Sequence, residues 1–292
     1  MIICFPLCLR RLENMYLNKK YIDVHRSSRK YYEIMDRSDV RLMMSPEKAC
    51  PDKNYFIIIA GGQATRMKQG GFMLPKPLYP LPDGRTLLTR TIDEISNLTA
   101  HEIRLQVRSE EKQVFEQYIK DNNITNLKLI CMSDLLGHGD GARYALQDIN
   151  AKEGAVSFLW CDMLYQNNTL LNTLMLHHEL GRAVTMPTVS LTNPYASLER
   201  DKNYSVTRFL FQSDGLEMPE TGEDNIGIFV FDINKAKEII DDLFKTTWNG
   251  GGQRKVDDLL KQAMLRNEIF APRIGSITDY KNINSPLVLE SI

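Results

Sequence analysis

An α/β fold, with a mostly parallel sheet covered by helices on both faces, is what this sequence predicts. Three observations carry that prediction. Short continuous apolar runs, Tyr55 to Ala60 and Ala155 to Cys161, have the length and composition of strands buried on both faces. Between them lie stretches whose apolar residues recur at helical spacing. The two patterns alternate along the chain, and parallel strands need crossover helices of that kind to join them.

Taken in order, the first strand, Tyr55 to Ala60, ends in Gly61-Gly62. Leu88, Ile92 and Ile95 stand at i, i+4 and i+7, so a helix is predicted over 86–98 with Thr86 as its N-cap. Ile103, Leu105 and Val107 alternate with Glu102, Arg104 and Gln106, a strand pattern. Val114, Phe115, Tyr118 and Ile119 form the stripe of the next helix, for which Ser109 is the expected cap. Leu127 to Met132 is the following strand and 141–149 the following helix. After the run ending at Cys161, Thr169 to Leu180 is helical and Ala183 to Ser190 extended. Tyr204 to Gln212 and Asn225 to Ile233 read as strands separated by a polar loop. Asn234 to Trp248 and Lys255 to Asn267 read as helices flanking the break Asn249-Gly250-Gly251-Gly252. Ligands of such sheets sit outside the carboxyl ends of the strands. The segments after Ala60, Met132 and Cys161 are therefore expected to converge.

Composition narrows the function. The 292 residues carry 36 Lys and Arg against 37 Asp and Glu, a net charge of -1, with 43% hydrophobic residues. That balance argues against a dedicated nucleic-acid binder, which carries a basic excess, and against disorder over the whole length. The longest apolar run, Met1 to Leu9, is far short of the ~20 residues that span a bilayer. Its positive pair Arg10-Arg11 follows the run instead of preceding it, unlike a secretory signal. Five cysteines (Cys4, Cys8, Cys50, Cys131, Cys161) form no Cys-x-x-Cys pair, and Cys131 and Cys161 each end an apolar run. Buried free thiols and a cytoplasmic setting are expected. Residues 1–53 hold a basic excess of four charges and no strand-helix alternation. They are expected to be an extension to the domain over 54–292, the other reading being that translation starts at Met35, Met43 or Met44.

The chemistry concentrates in Ala60-Gly61-Gly62-Gln63-Ala64-Thr65-Arg66-Met67, followed by Pro75-Lys76-Pro77. Two glycines after a buried strand let the backbone turn and offer N–H groups to a phosphate. Arg66 grips phosphate through a fixed fork, and Lys76 is a mobile point charge. The segment is neither a Walker loop nor a dinucleotide fingerprint, which speaks against a Rossmann dehydrogenase. Asp162 directly follows the apolar run ending at Cys161, a position suited to holding a divalent cation beside phosphates. Gly137, Gly139 and Asp140 lie in Leu136-Gly-His-Gly-Asp-Gly-Ala142, where glycines before a helix allow a ligand to approach the backbone. His138 is given no proton-transfer role. His177-His178 cannot both face one metal, because helical neighbours point about 100° apart; they are expected to be solvated or capping groups.

These motifs resemble the sugar-1-phosphate nucleotidylyltransferases and the MobA-like NTP transferases. The glycine loop is similar to that superfamily's Leu-Ala-Ala-Gly-x-Gly-Thr-Arg-Met followed by Pro-Lys, and the likeness runs over about 57–292. It implies a Rossmann-like nucleotidyltransferase fold. It also implies Mg²⁺-dependent transfer of a nucleotidyl group from an NTP to a sugar-1-phosphate, with release of pyrophosphate. By the same resemblance Arg66 and Lys76 are catalytic, and Ala60, Gly61, Gly62, Thr65, Gly137, Gly139 and Asp140 bind the nucleotide. Asn225 and Gly227, in Asn-Ile-Gly-Ile, face the sugar. Asp162 is the metal-binding aspartate, and Asn284, in Asn282-Ile-Asn284-Ser-Pro286, completes the metal site, with Asn282 and Asp279 as the other choices. Gly-His-Gly-Asp tilts the nucleotide toward UTP. Two departures stand out: Ala64 replaces a glycine, and the interval from Arg66 to Lys76 is long, with Gly70-Gly71 inside it. They motivate the alternative of a non-catalytic nucleotide or sugar-nucleotide binding protein on the same fold. A non-sugar phosphorylated acceptor is the other alternative.

Overall fold

The computed structural model describes residues 53–275, apart from 63, 72, 97, 99, 133–136, 166–168 and 246–253. Residues 1–52 and Asn284, Asn282 and Asp279 therefore lie outside the described residues. The elements follow the alternation in the sequence. They begin β1 (Asn54–Ile59), α1 (Thr65–Gln69), α2 (Leu87–Ser96), β2 (Glu102–Arg108), α3 (Lys112–Asp121), β3 (Leu127–Met132) and α4 (His138–Leu146). Next come β4 (Ala155–Trp160), α5 (Thr169–Leu180), β5 (Val184–Thr185), β6 (Thr188–Thr192), β7 (Ala196–Arg200) and β8 (Val206–Phe211). The last are β9 (Thr221–Asn225), β10 (Ile228–Asp232), α6 (Ile233–Lys245), α7 (Val256–Leu265) and β11 (Ile269–Phe270).

Seven strands form one sheet in the order β11-β5-β10-β4-β1-β2-β3. β1 pairs in parallel with β2 and β4, and β2 in parallel with β3. β10 runs antiparallel to both β4 and β5. All six residues of β1 are buried, as its unbroken apolar run requires. One face of the sheet packs Ile57, Ile59, Phe158 and Phe229 against α4, α6 and α7. The other packs Phe56, Ile58, Leu105 and Leu159 against α2, α3 and α5. Helices on both faces and a mostly parallel sheet are thus what the chain builds. α2 starts where Thr86 ends: the Thr89 amide donates to the Thr86 hydroxyl at 3.2 Å, and the Thr86 amide to the Thr89 hydroxyl at 2.9 Å.

Several local expectations are corrected. Ser109 does not cap α3; it opens a 3-10 turn over Ser109–Glu111 that leads into the helix. α4 begins at His138, three residues before the expected start. The strand expected over Asn225 to Ile233 is two strands, because Gly227 takes φ +73° and turns the chain between β9 and β10. β7, β9 and β11 are short strands that the periodicity did not separate from loop. Cys161 is buried, but Cys131 is only half-buried. His177 is neither solvated nor a cap: it is 4% exposed, with Nδ1 3.1 Å from the Thr185 hydroxyl. Burial under β5 lowers its pKa to about 3, with the neighbouring His178 adding to the effect. His178 is half-buried and bonds the Asn54 side chain through Nε2 at 2.9 Å.

The polar residues of β2 are buried too: Arg104 is 2% exposed and Gln106 fully enclosed. In a strand with neighbours on both edges and helices on both faces, alternation does not mean one wet face. Arg104 donates to the Ala145 and Gln147 carbonyls at 2.8 and 2.6 Å, satisfying orphan acceptors at the end of α4. Its Nε donates to Glu102 at 2.8 Å. β6–β9 and β7–β8 form two antiparallel pairs outside the main sheet. A buried network ties these pairs together: Glu223 accepts from Thr188 at 2.6 Å, from Arg273 at 2.9 Å and from Arg200. Among the described residues no helix is long and apolar enough to cross a membrane.

Candidate functional site

At the carboxyl end of β1 the chain bends through Gly61 and Gly62 into the short helix α1. The Ala60 amide still bonds the Gln106 carbonyl of β2 at 2.9 Å, so the bend starts from a fixed point. Gly61 leaves room for Gln106: a Cβ there would stand 2.6 Å from the Gln106 side-chain nitrogen, which would have to shift. Gly62 faces open space. Ala64 takes φ +51°, the left-handed region that glycine enters freely and L-residues enter at a cost of about 1 kcal/mol. Its carbonyl accepts from the Met67 and Lys68 amides, both at 3.0 Å, and so starts α1. Met67 is buried with Tyr79, Leu81, Leu87 and Leu164 in a small cluster that anchors the loop. Thr65 and Arg66 lie on α1; their side chains are outside the described residues.

The chain then returns through Pro75 into a 3-10 turn over Lys76–Leu78, with Pro77 and Leu78 buried. That seating aims Lys76 at the end of β4. Its Nζ donates to Asp162 Oδ2 at 2.7 Å, across 86 residues of sequence. The pair is 13% and 24% exposed, half-shielded but reachable from solvent. Two of the three segments expected to converge at the sheet's carboxyl edge therefore meet in one ion pair. Asp162 sits on the turn after β4, between Cys161 and Met163. Burial, and then the Asp162 charge, push the Cys161 thiol far up, so it is an inert packing group.

The third segment arrives differently. Gly137 is the N-cap position of α4, and burial raises the pKa of Asp140 despite a hydrogen bond from the Gly137 backbone. The close approach that these glycines allow is made by the chain itself. A Cβ on Gly137 would lie 1.8 Å from the Arg254 carbonyl oxygen, and one on Gly139 would lie 2.9 Å from that of Lys255. The Gly139 amide donates to the Arg254 carbonyl at 3.0 Å. Arg254 and Arg143 both stack on the Phe244 ring, 4.1 and 4.4 Å from its centroid. Glycine here serves helix-to-segment packing. Sequence pattern could not distinguish that from a ligand's approach, because both need a missing side chain.

The Asn225 side chain turns inward, onto the backbone of Gly227. Asn225 Oδ1 accepts from the Gly227 amide at 3.0 Å, and its Nδ2 donates to Asp224 at 3.2 Å. The Gly227 carbonyl accepts from the Trp160 amide at 3.0 Å, bringing this bend beside the Asp162 turn. Two residues that sequence reading passed over also belong here. Gln106 lies between Gly61 and Gly141, and its Oε1 has no hydrogen-bond partner among the described residues. Tyr165 bonds the Trp160 and Gly227 carbonyls. Gln106 was concealed by an alternation that reads as half-exposed; burial of both faces of a parallel sheet was the signal available for it.

For a divalent cation, the described donors fit a sparse site. No group of three His, Cys, Asp or Glu side chains is clustered among the described residues. One partly exposed carboxylate, Asp162, suits Mg²⁺, which takes one or two protein oxygens and fills its shell with phosphate and water. Lys76 already occupies Oδ2 of Asp162, so a cation there meets a competing positive charge.

A glycine bend after the first strand, a lysine returning to an acid at the end of β4, and a 3-2-1-4 parallel core are the layout of an α/β nucleotidyltransferase-like fold. Residues 56–200 match the MobA-like NTP transferase domain, and the chain is similar to that family over this stretch. The bifunctional protein GlmU of Listeria monocytogenes is 24% identical over 242 residues, covering 81% of this chain and 50% of that protein. GlmU of Streptococcus equi subsp. zooepidemicus is 27% identical over 212 residues, 71% of this chain and 44% of that protein. The chain thus spans about half the length of the curated relatives it matches. The inositol-1-phosphate CTP transferase of T. maritima has the same fold, with a TM-score of 0.63 at 13% identity, covering 82% of this chain and 92% of that one.

Proposed function

We propose that this chain transfers a nucleotidyl group from an NTP to a phosphorylated sugar or polyol and releases pyrophosphate. The observation that carries the reading is the Lys76–Asp162 pair beside the glycine bend. An acceptor phosphate oxygen attacks the α-phosphorus in line; one P–O bond forms and the bond to pyrophosphate breaks. That phosphate is already anionic at neutral pH, so no general base is needed. Catalysis is positioning and charge neutralisation. The backbone of Ala60, Gly61 and Gly62, with Thr65, cradles the triphosphate, and Arg66 and Lys76 neutralise it. The start of α4, which carries Gly137, Gly139 and Asp140 and is seated by Arg254 and Lys255, borders the nucleoside, and Asn225 and Gly227 border the acceptor. Asp162 and Asn284 would hold Mg²⁺, which supplies further charge neutralisation at phosphate oxygens when bound.

The nucleotide follows the sequence tilt toward UTP. The acceptor class draws on the relatives: the fold neighbour is an inositol-1-phosphate CTP transferase, so polyol phosphates stand beside hexose-1-phosphates. A soluble, cytoplasmic protein is part of the same proposal. The test is a pyrophosphate-release assay crossing four NTPs with a panel of sugar and polyol phosphates. Turnover of at least one pair, dependent on Mg²⁺ and abolished by chelator, is expected; silence across the whole panel defeats the reading. A non-catalytic nucleotide or sugar-nucleotide binder is the second reading, favoured by Ala64 at φ +51° in place of glycine. It predicts NTP binding by calorimetry without pyrophosphate release.

A further inference from the structure

Tyr165 lies three residues past Asp162 and is buried. Its hydroxyl stands 2.7 Å from the Trp160 carbonyl oxygen and 2.9 Å from that of Gly227. Both acceptors are backbone carbonyls, so the single phenolic proton is shared between them. Trp160 is the last residue of β4, immediately before the turn that carries Asp162. Gly227 forms the bend between β9 and β10, where Asn225 Oδ1 holds its amide. The two carbonyls belong to segments 67 residues apart in sequence; the Trp160 amide bonds the Gly227 carbonyl directly at 3.0 Å, and the Tyr165 hydroxyl bridges the two carbonyls as a second tie. Burial, and then the Asp162 charge, hold the phenol far above its ordinary pKa, so it stays a donor at any working pH.

The bend has little other freedom. At φ +73°, a Cβ on Gly227 would meet Met163 Cγ at 3.0 Å, in the Asp162 turn, and Trp160 Cβ at 3.2 Å, at the end of β4. The bend and the turn are therefore packed against each other and pinned by Tyr165. Neither strand pairing nor the hydrophobic core requires this hydroxyl: β4 and β10 are already held by their own ladder from Ile228 to Asp232. A phenylalanine would fill the same apolar space.

We propose that Tyr165 is a positioning residue, which fixes the Asp162 turn relative to the Asn225–Gly227 bend and so sets the acceptor in register with the carboxylate. The inference rests on the nucleotidyl-transfer reading above and adds a residue that the motifs do not contain. Misplacing a reacting group by about 1 Å costs on the order of 100-fold in rate, so a lost pin should be visible in the kinetics.

The experiment is steady-state pyrophosphate release by full-length wild type and Tyr165→Phe, with the NTP and acceptor each varied and unfolding midpoints measured alongside. For Tyr165→Phe, kcat/KM for the acceptor should fall about 10- to 100-fold, while KM for the NTP stays within about twofold. Thr173→Val is the control. It deletes another buried hydroxyl, bonded to the Thr169 carbonyl at 2.7 Å, on the helix after the turn; it should lower the unfolding midpoint without the acceptor-side loss. Gly227→Ala, which disturbs the same bend without touching the phenol, should share that loss and covers the case in which Tyr165→Phe fails to fold. Active wild type with Tyr165→Phe unchanged, or with NTP and acceptor parameters worsened equally, overturns the pin and leaves the transfer reading standing. Wild type silent with every pair defeats the transfer reading, and the pin with it.

Discussion

The two ends of the central sheet treat their polar groups in opposite ways. At the carboxyl ends of β1 and β4, Lys76 and Asp162 form a charged pair that solvent can reach. At the other end, His177 is buried beside Thr185, and His178 bonds Asn54 at the start of β1. The first arrangement is an ion pair left within reach of water. The second keeps its groups neutral, because burial disfavours the imidazolium. Charge that stays accessible can act on a ligand, whereas a neutral hydrogen-bonded pair can only hold the fold. The difference teaches that activity should be sensitive at one end and stability at the other.

The largest effect expected is from Asp162→Ala. It should lower Mg²⁺-dependent pyrophosphate release by about 100-fold or more, or roughly 3 kcal/mol, with the unfolding midpoint little changed. Full turnover in that variant would break the contrast. Lys76→Met comes next, with a loss of about 10- to 100-fold. It should also lower the Mg²⁺ concentration needed for half-maximal rate, since the competing cation on Asp162 Oδ2 is gone. An unchanged Mg²⁺ requirement would show that Lys76 and the metal do not contend for one carboxylate.

His177 sharpens the other side. Its folded pKa of about 3 lies below the ordinary imidazole value. Below about pH 6.5 the unfolded chain takes up a proton that the native state refuses. The stability tied to His177 is therefore complete above that pH and declines as pH falls toward 3. The unfolding free energy from denaturant titration should drop by on the order of 1–2 kcal/mol between pH 7 and 5, and His177→Gln should flatten the decline. A His177→Gln profile parallel to wild type would remove this residue from the account. The smallest effect belongs to Ala64→Gly. Relief of the left-handed strain, partly offset by the entropy of glycine, should raise stability by less than about 1 kcal/mol; a loss of stability would show that φ +51° is not strained in this loop.

Legibility followed burial pattern. β1, β3, β4 and α5 were readable within a residue or so, because their runs are either wholly apolar or regular in period. β7, β9 and β11 were not: Thr221–Asn225 has no apolar stripe, and its burial comes from packing beneath β7. In the candidate site, Lys76 and Asp162 were legible as types at recognisable positions, whereas Gly137 and Gly139 were legible only as places lacking side chains. Tyr165 carries no motif at all, since its significance depends on a carbonyl 62 residues away.

By itself the sequence determined the alternation of strands and helices, the glycine bend after β1 and the acid after β4. These depend on neighbours in the chain, through apolar periodicity and local backbone freedom. Tertiary structure alone decided that Lys76 reaches Asp162, that Arg254 and Lys255 fill the space at Gly137 and Gly139, and that β2 buries Arg104 and Gln106. Each depends on which distant segments the packed sheet brings within hydrogen-bond reach, and linear spacing holds no measure of that distance.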